Sequence, residues 1–167
     1  MAVGALSTLA FNPTHARAGE RVGAAERRRT GLAAWLSGLS LVGLGRPLGG
    51  HAAWEREATS GARSWLRLVD DGRYPASWSA AAPLFREEVG RQDWDAALRA
   101  ARAPLGRCSW RRLESRAAVE GPPGDLRGPY VVIRFESAFA RRGEVTETVT
   151  PVLGPDGRWR VAAYFLS

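Results

Sequence analysis

The stretch YVVIRFESAFARRGEVTETVTPVLGPDGRWRVAAYFL, residues 130–166, decides the fold because its apolar residues alternate with polar ones. A period of two is typical of strands with one buried face. The alternation is interrupted twice, by RRG at residues 141–143 and by PDG at residues 155–157. Each interruption fits a three-residue hairpin loop, a type I turn followed by a glycine in the left-handed region. The stretch therefore predicts three antiparallel strands in a meander.

Turn chemistry also predicts the register of these strands. The first loop pairs Ala140 with Glu144, which places Glu147 opposite Ser137. The second loop places Glu147 opposite Phe165. Both loops put the odd-numbered residues on one apolar face, and a shift by a single residue would break this agreement. Three further pairs follow from the same register: Val149 with Phe135, Val149 with Ala163, and Leu153 with Trp159.

The chain before this stretch predicts a further strand and several helices. Residues 107–119 predict a strand of unclear facing, because both alternate sets contain Arg. Apolar residues at three- and four-residue steps predict a helix over 54–71, which Gly72 ends. Shorter helical patterns follow around Trp78, over 84–89 and beyond Gly90. We therefore expect an α+β domain with N-terminal helices packed on a four-stranded antiparallel meander.

The first 53 residues have the organisation of an export signal. ERRRT supplies positive charge, and GLAAWLSGLSLVGLG, residues 31–45, is an apolar run too short to span a bilayer. Gly50 and Ala52 are small residues at the positions that a signal peptidase reads, so cleavage is expected near Ala52. Residues 54–167 would then form a single periplasmic or secreted domain. A membrane anchor or a buried helix is the alternative, and both the general and the twin-arginine export routes stay open.

Composition excludes several classes of function. All 24 basic residues are Arg, and from Trp54 onward they are interspersed with acids, which argues against nucleic-acid binding despite a formal charge of +7. Both histidines, His15 and His51, precede the expected cleavage. The mature domain would therefore lack the imidazole of Ser-His-Asp catalysis and of common zinc sites. Cys108 is the only cysteine, which excludes an internal disulfide. We expect no cofactor, no metal and, after cleavage, no stable membrane span.

Several stretches together resemble one family of exported bacterial proteins. They are SWLRLVDDGRYPASW, PLFREEV, DWDAALRAARAPLGR, YVVIRFESAFA and ETVTPVLGPDGRWRVAAYF. Over roughly residues 58–166 the chain resembles the family named domain of unknown function, number 4019. The resemblance implies an exported α+β domain with a curved sheet, similar to the cystatin-like and nuclear-transport-factor-2-like folds. It implies no established activity or ligand, and CSWRRLESR is richer in arginine than the family's pattern.

Glu147 is the main candidate for a functional group, since it is the one charge on the predicted apolar face of the last three strands. A buried carboxylate can act as a general base or orient a ligand, and here Ser137 and Phe165 would flank it. Four tryptophans suit either the walls of such a pocket or core anchors: Trp65, Trp78, Trp94 and Trp159. Three structural alternatives remain, namely an ion pair with Arg111 or Arg116, a solvated position, or a charge that discourages edge-to-edge aggregation.

Three functions are compatible with this domain. The preferred one is non-catalytic binding of a small molecule or peptide in the concavity between sheet and helices. The second is an envelope interaction module that uses an edge or the outer face of the sheet. Four residues on that face suit protein contacts: Tyr130, Arg134, Arg160 and Tyr164. The third is an acid–base enzyme of the ketosteroid-isomerase type, which would need Glu147 and a buried tyrosine donor; an enzyme is not expected.

Overall fold

The computed structural model describes residues 51–120 and 128–167, in which four helices are followed by four strands. The helices are α1 (His51–Asp70), α2 (Tyr74–Ala80), α3 (Pro83–Glu88) and α4 (Arg91–Arg102). The strands are β1 (Cys108–Val119), β2 (Tyr130–Phe139), β3 (Gly143–Leu153) and β4 (Trp159–Leu166). The predicted α+β class is confirmed, while the apolar run of the export signal lies outside the described residues.

Helix α1 packs an apolar stripe against the sheet and ends before a glycine. Its buried residues recur at steps of three and four: Ala58, Ala62, Trp65, Leu66 and Val69. Gly72 has a φ of 70°, a left-handed conformation that lets the chain turn away after Asp70. The helix begins at His51 rather than at the predicted Trp54, so Ala52 lies in its first turn. None of the helices in the described part has the length and hydropathy of a bilayer span.

Prolines and a glycine separate the three shorter helices. Pro75 lies in the first turn of α2 and Pro83 begins α3, positions where a missing N–H leaves no helical bond unmade and φ is already helical. Gly90 precedes α4 in an extended conformation. Arg102 lies in the last turn of α4, where its positive charge suits the negative end of the helix dipole.

The four strands form one antiparallel sheet in the order β1-β2-β3-β4, which confirms the predicted meander. We call the side of the sheet that packs against the helices the inner face, and the opposite side the outer face. Inner-face residues such as Ile133, Phe135 and Val149 are fully buried with the stripe of α1. The finer likeness to cystatin-like or nuclear-transport-factor-2-like folds stays a prediction.

The register of the first hairpin differs from the prediction. Phe139 pairs with Gly143, so Glu147 lies opposite Phe135 and not opposite Ser137. Gly143, with a φ of 81°, begins β3 instead of ending the turn, and the loop is therefore residues 140–142. The displacement moves each partner by two residues, so every side chain keeps its predicted face. Val149 correspondingly pairs with Ile133.

The second hairpin follows the prediction only as far as a bulge. Leu153 pairs with Trp159 as expected, but the register shifts between Thr150 and Pro151. Pro151 has no N–H to give to the ladder, and β4 accommodates one extra residue beside it, which is the definition of a bulge. Beyond this point Val149 pairs with Tyr164 and not with Ala163.

The bulge exchanges two aromatic residues between the faces. Tyr164 joins the core on the inner face, although the sequence predicts it on the outer face. Glu147 lies opposite Leu166, and Phe165 lies opposite Thr148 on the outer face. Phe165 is therefore not a neighbour of Glu147 across the strands, contrary to the prediction.

Two register shifts explain why the facing of β1 is unclear from sequence. The shifts lie between Cys108 and Trp110 and between Leu113 and Ser115. As a result Arg111 is opposite the inner-face Ser137, whereas Arg116, with the other parity, is opposite the inner-face Ile133. Because each bulge reverses the alternation, both parities of β1 contribute residues to the same face.

The edge of β4 is covered by the segment that leads into α3. The N–H of Ala82 donates to the carbonyl oxygen of Val161 at 2.8 Å, next to the bulge. Ala82 and Leu84 also pack in a second apolar cluster with Val152 and Ala162. A covered edge cannot template pairing with another chain, so the bulge and this contact together protect the end of the meander.

Two glycine substitutions should change stability in opposite directions. Gly61 is helical, and a Cβ there would meet Trp159 at ordinary contact distance, 3.4 Å from its carbonyl oxygen. Gly61→Ala should therefore raise the free energy of unfolding by up to about 1 kcal/mol through helix propensity. Gly157 has a φ of 72° with nothing within 4 Å of the added atom, so Gly157→Ala should lower it by about 1 kcal/mol through backbone strain alone. Urea denaturation measures both, and equal signs would contradict this account.

Candidate functional site

Glu147 lies in the middle of a charged network between the sheet and the ends of α1 and α4. We call Asp70, Arg102, Arg111, Ser137, Glu147 and Tyr164 the Glu147 network. Its members come from α1, α4 and all four strands. The Glu147 carboxylate has 0% exposure, so all of its polar contacts have to come from protein atoms.

Two donors bind the first carboxylate oxygen of Glu147. The hydroxyl of Tyr164 donates to Oε1 at 2.5 Å, and Arg102 Nη1 donates to the same atom at 3.0 Å. Arg102 Nη1 also lies 3.1 Å from the Tyr164 hydroxyl oxygen, which accepts from it. The guanidinium of Arg102 in turn rests over the ring of Phe139, 4.6 Å from its centroid. These contacts hold the end of α4 against β3 and β4.

Two further donors bind the second oxygen. Arg111 Nε donates to Glu147 Oε2 at 2.5 Å, and the Ser137 hydroxyl donates to it at 2.5 Å. An ionised carboxylate offers roughly four lone-pair positions. Four donors therefore occupy the acceptor capacity of Glu147. A proton or a ligand could reach these oxygens only by displacing one of the donors.

Asp70 completes the network as a second carboxylate. Arg111 binds it through two nitrogens, with Nη1 at 2.7 Å from Oδ2 and Nη2 at 3.1 Å from Oδ1. Arg102 Nη2 also donates to Asp70 Oδ1. Each arginine thus joins Asp70 to Glu147, and two positive charges balance two negative ones. A balanced buried cluster avoids the large cost of an uncompensated charge.

The surroundings shift the pKa values of both arginines and of Tyr164. Burial by itself would lower the pKa of Arg111, but its hydrogen bond with Asp70 and the charge of Glu147 outweigh that effect and raise it. The pKa of Arg102 is also raised, because the neighbouring acidic groups outweigh its burial. Burial, and then the charge of Glu147, raise the pKa of Tyr164 well above its usual value. Both arginines are therefore charged and Tyr164 is a neutral donor at physiological pH.

One structural alternative from the sequence is confirmed by these contacts. Glu147 pairs with Arg111, as expected for an arginine of the first strand. Arg116, the other arginine considered, pairs instead with Glu55 of α1 at 3.3 Å. The predicted neighbour Ser137 does bind Glu147, through its hydroxyl and not as its cross-strand partner. The sequence-based prediction did not place Asp70, Arg102 or Tyr164 in this site.

Trp65 and Trp94, two of the four candidate tryptophans, are core anchors. Trp65 and Trp94 are buried, with ring centroids 5.9 Å apart, and both contact the ring of Tyr164, at 5.4 Å and 6.4 Å. Ser77 satisfies both indoles: Trp65 Nε1 donates to its carbonyl oxygen at 2.8 Å and Trp94 Nε1 to its hydroxyl at 3.0 Å. Phe85 packs edge-on against Trp94. These rings fill the space beside the Glu147 network.

The other two candidate tryptophans, Trp78 and Trp159, lie at the margin of the core. Trp78 is partly buried, and its Nε1 donates to the carbonyl oxygen of Val89 at 2.7 Å. Trp159 is partly buried on β4, and its Nε1 donates to Glu57 at 3.3 Å. The structure therefore brings Glu147, Ser137, Trp65 and Trp94 into one region, with Trp78 and Trp159 at its edge and Phe165 on the other face.

The outer face carries a different set of exposed residues from the predicted one. Tyr164 points inward, Tyr130 is only 2% exposed, and Arg160 is paired with Asp156. Arg134 is exposed, as predicted, and among the described residues it has no hydrogen bond or ion pair. Trp110 of β1 is 43% exposed and lies opposite Ala138 of β2.

We call Trp110, Arg134 and Phe165 the outer contact surface. Arg134 pairs with Thr148, and Thr148 pairs with Phe165, so Arg134, Thr148 and Phe165 form one row across β2, β3 and β4. At about 4.8 Å between strands, Arg134 and Phe165 are roughly 10 Å apart. Trp110 is on β1, opposite Ala138 of β2. Ala138 is four residues from Arg134, so Trp110 is displaced by roughly 13 Å along the strand direction.

Neither Cys108 nor a metal site adds chemistry to the described part. The thiol of Cys108 is half-buried, and burial raises its pKa, which disfavours the reactive thiolate. Within residues 51–120 and 128–167, no group of three ligand-type side chains is arranged to hold a metal ion.

Comparison with known proteins identifies the family. Residues 61–164 match the family described as "Protein of unknown function (DUF4019)". The chain belongs to this family. The match runs from within α1 to within β4 and includes every member of the Glu147 network, as well as Trp110 and Arg134. No curated protein matches the chain. The predicted resemblance is confirmed, and membership in DUF4019 carries no activity with it.

Removing the charge of Glu147 should strongly destabilise this DUF4019 domain. Glu147→Gln keeps the size of the side chain but leaves two buried arginines with Asp70 as their one remaining carboxylate in the network. The free energy of unfolding should therefore fall by about 3 kcal/mol. Glu136→Gln is the matched control, because Glu136 pairs with the exposed Arg112 on the same sheet. The free energy of unfolding of Glu136→Gln should fall by less than about 1 kcal/mol. Similar losses for both variants in urea denaturation would show that the Glu147 network contributes no more than a surface pair.

The Tyr164 hydroxyl should make stability fall at alkaline pH. Its folded pKa is raised, so its contribution is fully present below the unfolded pKa of about 10 and is lost as pH rises above that value. Tyr164→Phe keeps the ring and lacks the ionisable group. Between about pH 8 and pH 11, the free energy of unfolding of the natural chain should fall more steeply than that of the variant, as measured by denaturation. Parallel pH profiles would contradict the burial of a neutral Tyr164.

Proposed function

We propose that this domain is an exported, non-catalytic interaction module that binds a partner protein through the outer contact surface. The observation that carries the proposal is Trp110, which exposes 43% of its surface on a strand at the edge of the sheet. Exposed tryptophan is costly in water and is enriched at the energetic centres of protein interfaces.

Arg134 and Phe165 supply the chemistry around Trp110. Arg134 has no ion-pair partner among the described residues, so its guanidinium is available for a carboxylate. Phe165 is partly exposed and adds apolar area in the same row. A protein segment that presents an apolar side chain close to an Asp or Glu would complement this surface. The Arg112–Glu136 pair lies between the two ends and would form a polar part of the contact.

The contacts inside the domain argue against the alternative, which is ligand binding between the sheet and the helices. A ligand in the concavity would meet Glu147, Asp70 and the indoles of Trp65 and Trp94, and each of these groups is already bonded within the protein. Binding there would have to break charge-assisted hydrogen bonds in a buried site. Small-molecule binding and acid–base catalysis by Glu147 are therefore the weaker candidates.

Export is part of the proposal and rests on the sequence. The positive segment, the apolar run and the small residues before Ala53 have the order of a signal peptide. A partner in the periplasm or outside the cell follows from that order.

Site-specific photo-crosslinking in the native cell envelope tests the proposal. Thr148→p-benzoylphenylalanine places the photoreactive group between Arg134 and Phe165, and Gln92→p-benzoylphenylalanine places it on the exposed start of α4 as a control. We expect a discrete adduct with one protein from position 148 only. Trp110→Ala and Arg134→Ala should each reduce that adduct about tenfold or more, whereas Arg142→Ala in the nearby turn should not. An adduct that survives both substitutions, or none from position 148, would contradict the proposal.

A further inference from the structure

The expected cleavage site lies inside a folded helix. Helix α1 begins at His51, so the bond between Ala52 and Ala53 belongs to its first turn. Both alanines are partly buried. A signal peptidase, like other endoproteases, acts on an extended chain that enters its active-site cleft, and a bond in a packed helix becomes available only when the helix opens.

Side-chain contacts attach this first turn to the end of β1. His51 Nε2 lies 2.7 Å from Glu120 Oε1, and the His51 ring packs at 5.3 Å from the ring of Trp54. Trp54 itself packs against the main core. The turn is therefore held on both sides of the Ala52–Ala53 bond.

Glu55 adds a second attachment one residue further on. Its Oε1 accepts a hydrogen bond from the N–H of Ala118 at 3.3 Å, and its Oε2 pairs with Arg116 at 3.3 Å. This carboxylate thus joins α1 to both the backbone and a side chain of β1. Opening the first turn requires these contacts to break together with those of Trp54.

We infer that the folded domain protects the Ala52–Ala53 bond, so that removal of the export signal precedes the packing of α1 onto β1. The inference rests on the export part of the proposed function. It assigns the chain to the general route, which carries unfolded chains, rather than the twin-arginine route, which carries folded domains. A chain that folds before processing would keep its signal and stay uncut.

Cleavage kinetics with a purified signal peptidase test the inference. The substrates are the full chain, a peptide of residues 26–60 that contains the signal but cannot form the domain, and two full-length variants. Leu66→Ala removes a fully buried side chain far from the bond and populates the open state. Arg142→Ala is the matched control, since Arg142 is exposed in the turn between β2 and β3 and lies outside the outer contact surface. Mass spectrometry follows the appearance of the fragment that begins at Ala53.

The peptide should be cut at Ala52–Ala53, and the full chain about a hundredfold more slowly. Leu66→Ala should be cut at least about tenfold faster than the full chain, up to the rate of the peptide if the variant is unfolded. Arg142→Ala should match the full chain. Cleavage of the folded chain at the rate of the peptide, or at a bond before His51, would overturn the inference. An uncut peptide would overturn it together with the predicted cleavage position, whereas the outer contact surface would still be decided by crosslinking.

Discussion

Burial of the Glu147 carboxylate is the constraint on which the rest of the structure depends. A charge with no exposed surface is tolerated only when donors and counter-charges surround it. Here the donors come from α4, β1, β2 and β4. Asp70 of α1 joins through the two arginines, so the network fixes how six elements meet. The ends of α1 and α4 converge on it because Asp70 and Arg102 are their last residues. The same contacts fill the position where a pocket would otherwise give access to the carboxylate.

Much of the fold could be predicted from alternation and turn residues, because these are local properties. The faces of β2 and β3 followed from a period of two, which an even displacement in the first hairpin leaves intact. The bulge beside Pro151 could not be placed in this way, and it decides that Tyr164 and not Phe165 enters the core. In β1, two bulges mix the parities, so that no single alternation describes the strand. Bulges depend on what the neighbouring strands can accommodate, which a linear pattern does not contain.

The candidate site was predicted in part, and its missing members had a signal that helical spacing could have shown. Arg102 lies four residues after Leu98 and eight after Trp94, and Asp70 lies four residues after Leu66. Both continue an apolar stripe with a charge, and a charge on a buried stripe requires a partner of opposite sign. Glu147 is likewise a charge on the apolar face of a strand, so it too requires partners of opposite sign. Functional use of Glu147 would break its ion pairs with Arg102 and Arg111. We therefore place the binding activity of the domain on the outer face, at Trp110.

A double-mutant cycle between Glu147 and Arg111 tests the central claim most directly, since it isolates their interaction from the loss of either side chain. The cycle compares the unfolding free energies of the natural chain, Glu147→Gln, Arg111→Met and the double variant. A coupling free energy above about 1.5 kcal/mol is the result that this account predicts for a buried pair at 2.5 Å. A coupling within about 0.5 kcal/mol of zero would mean that the pair is solvated and that Glu147 is free for other chemistry.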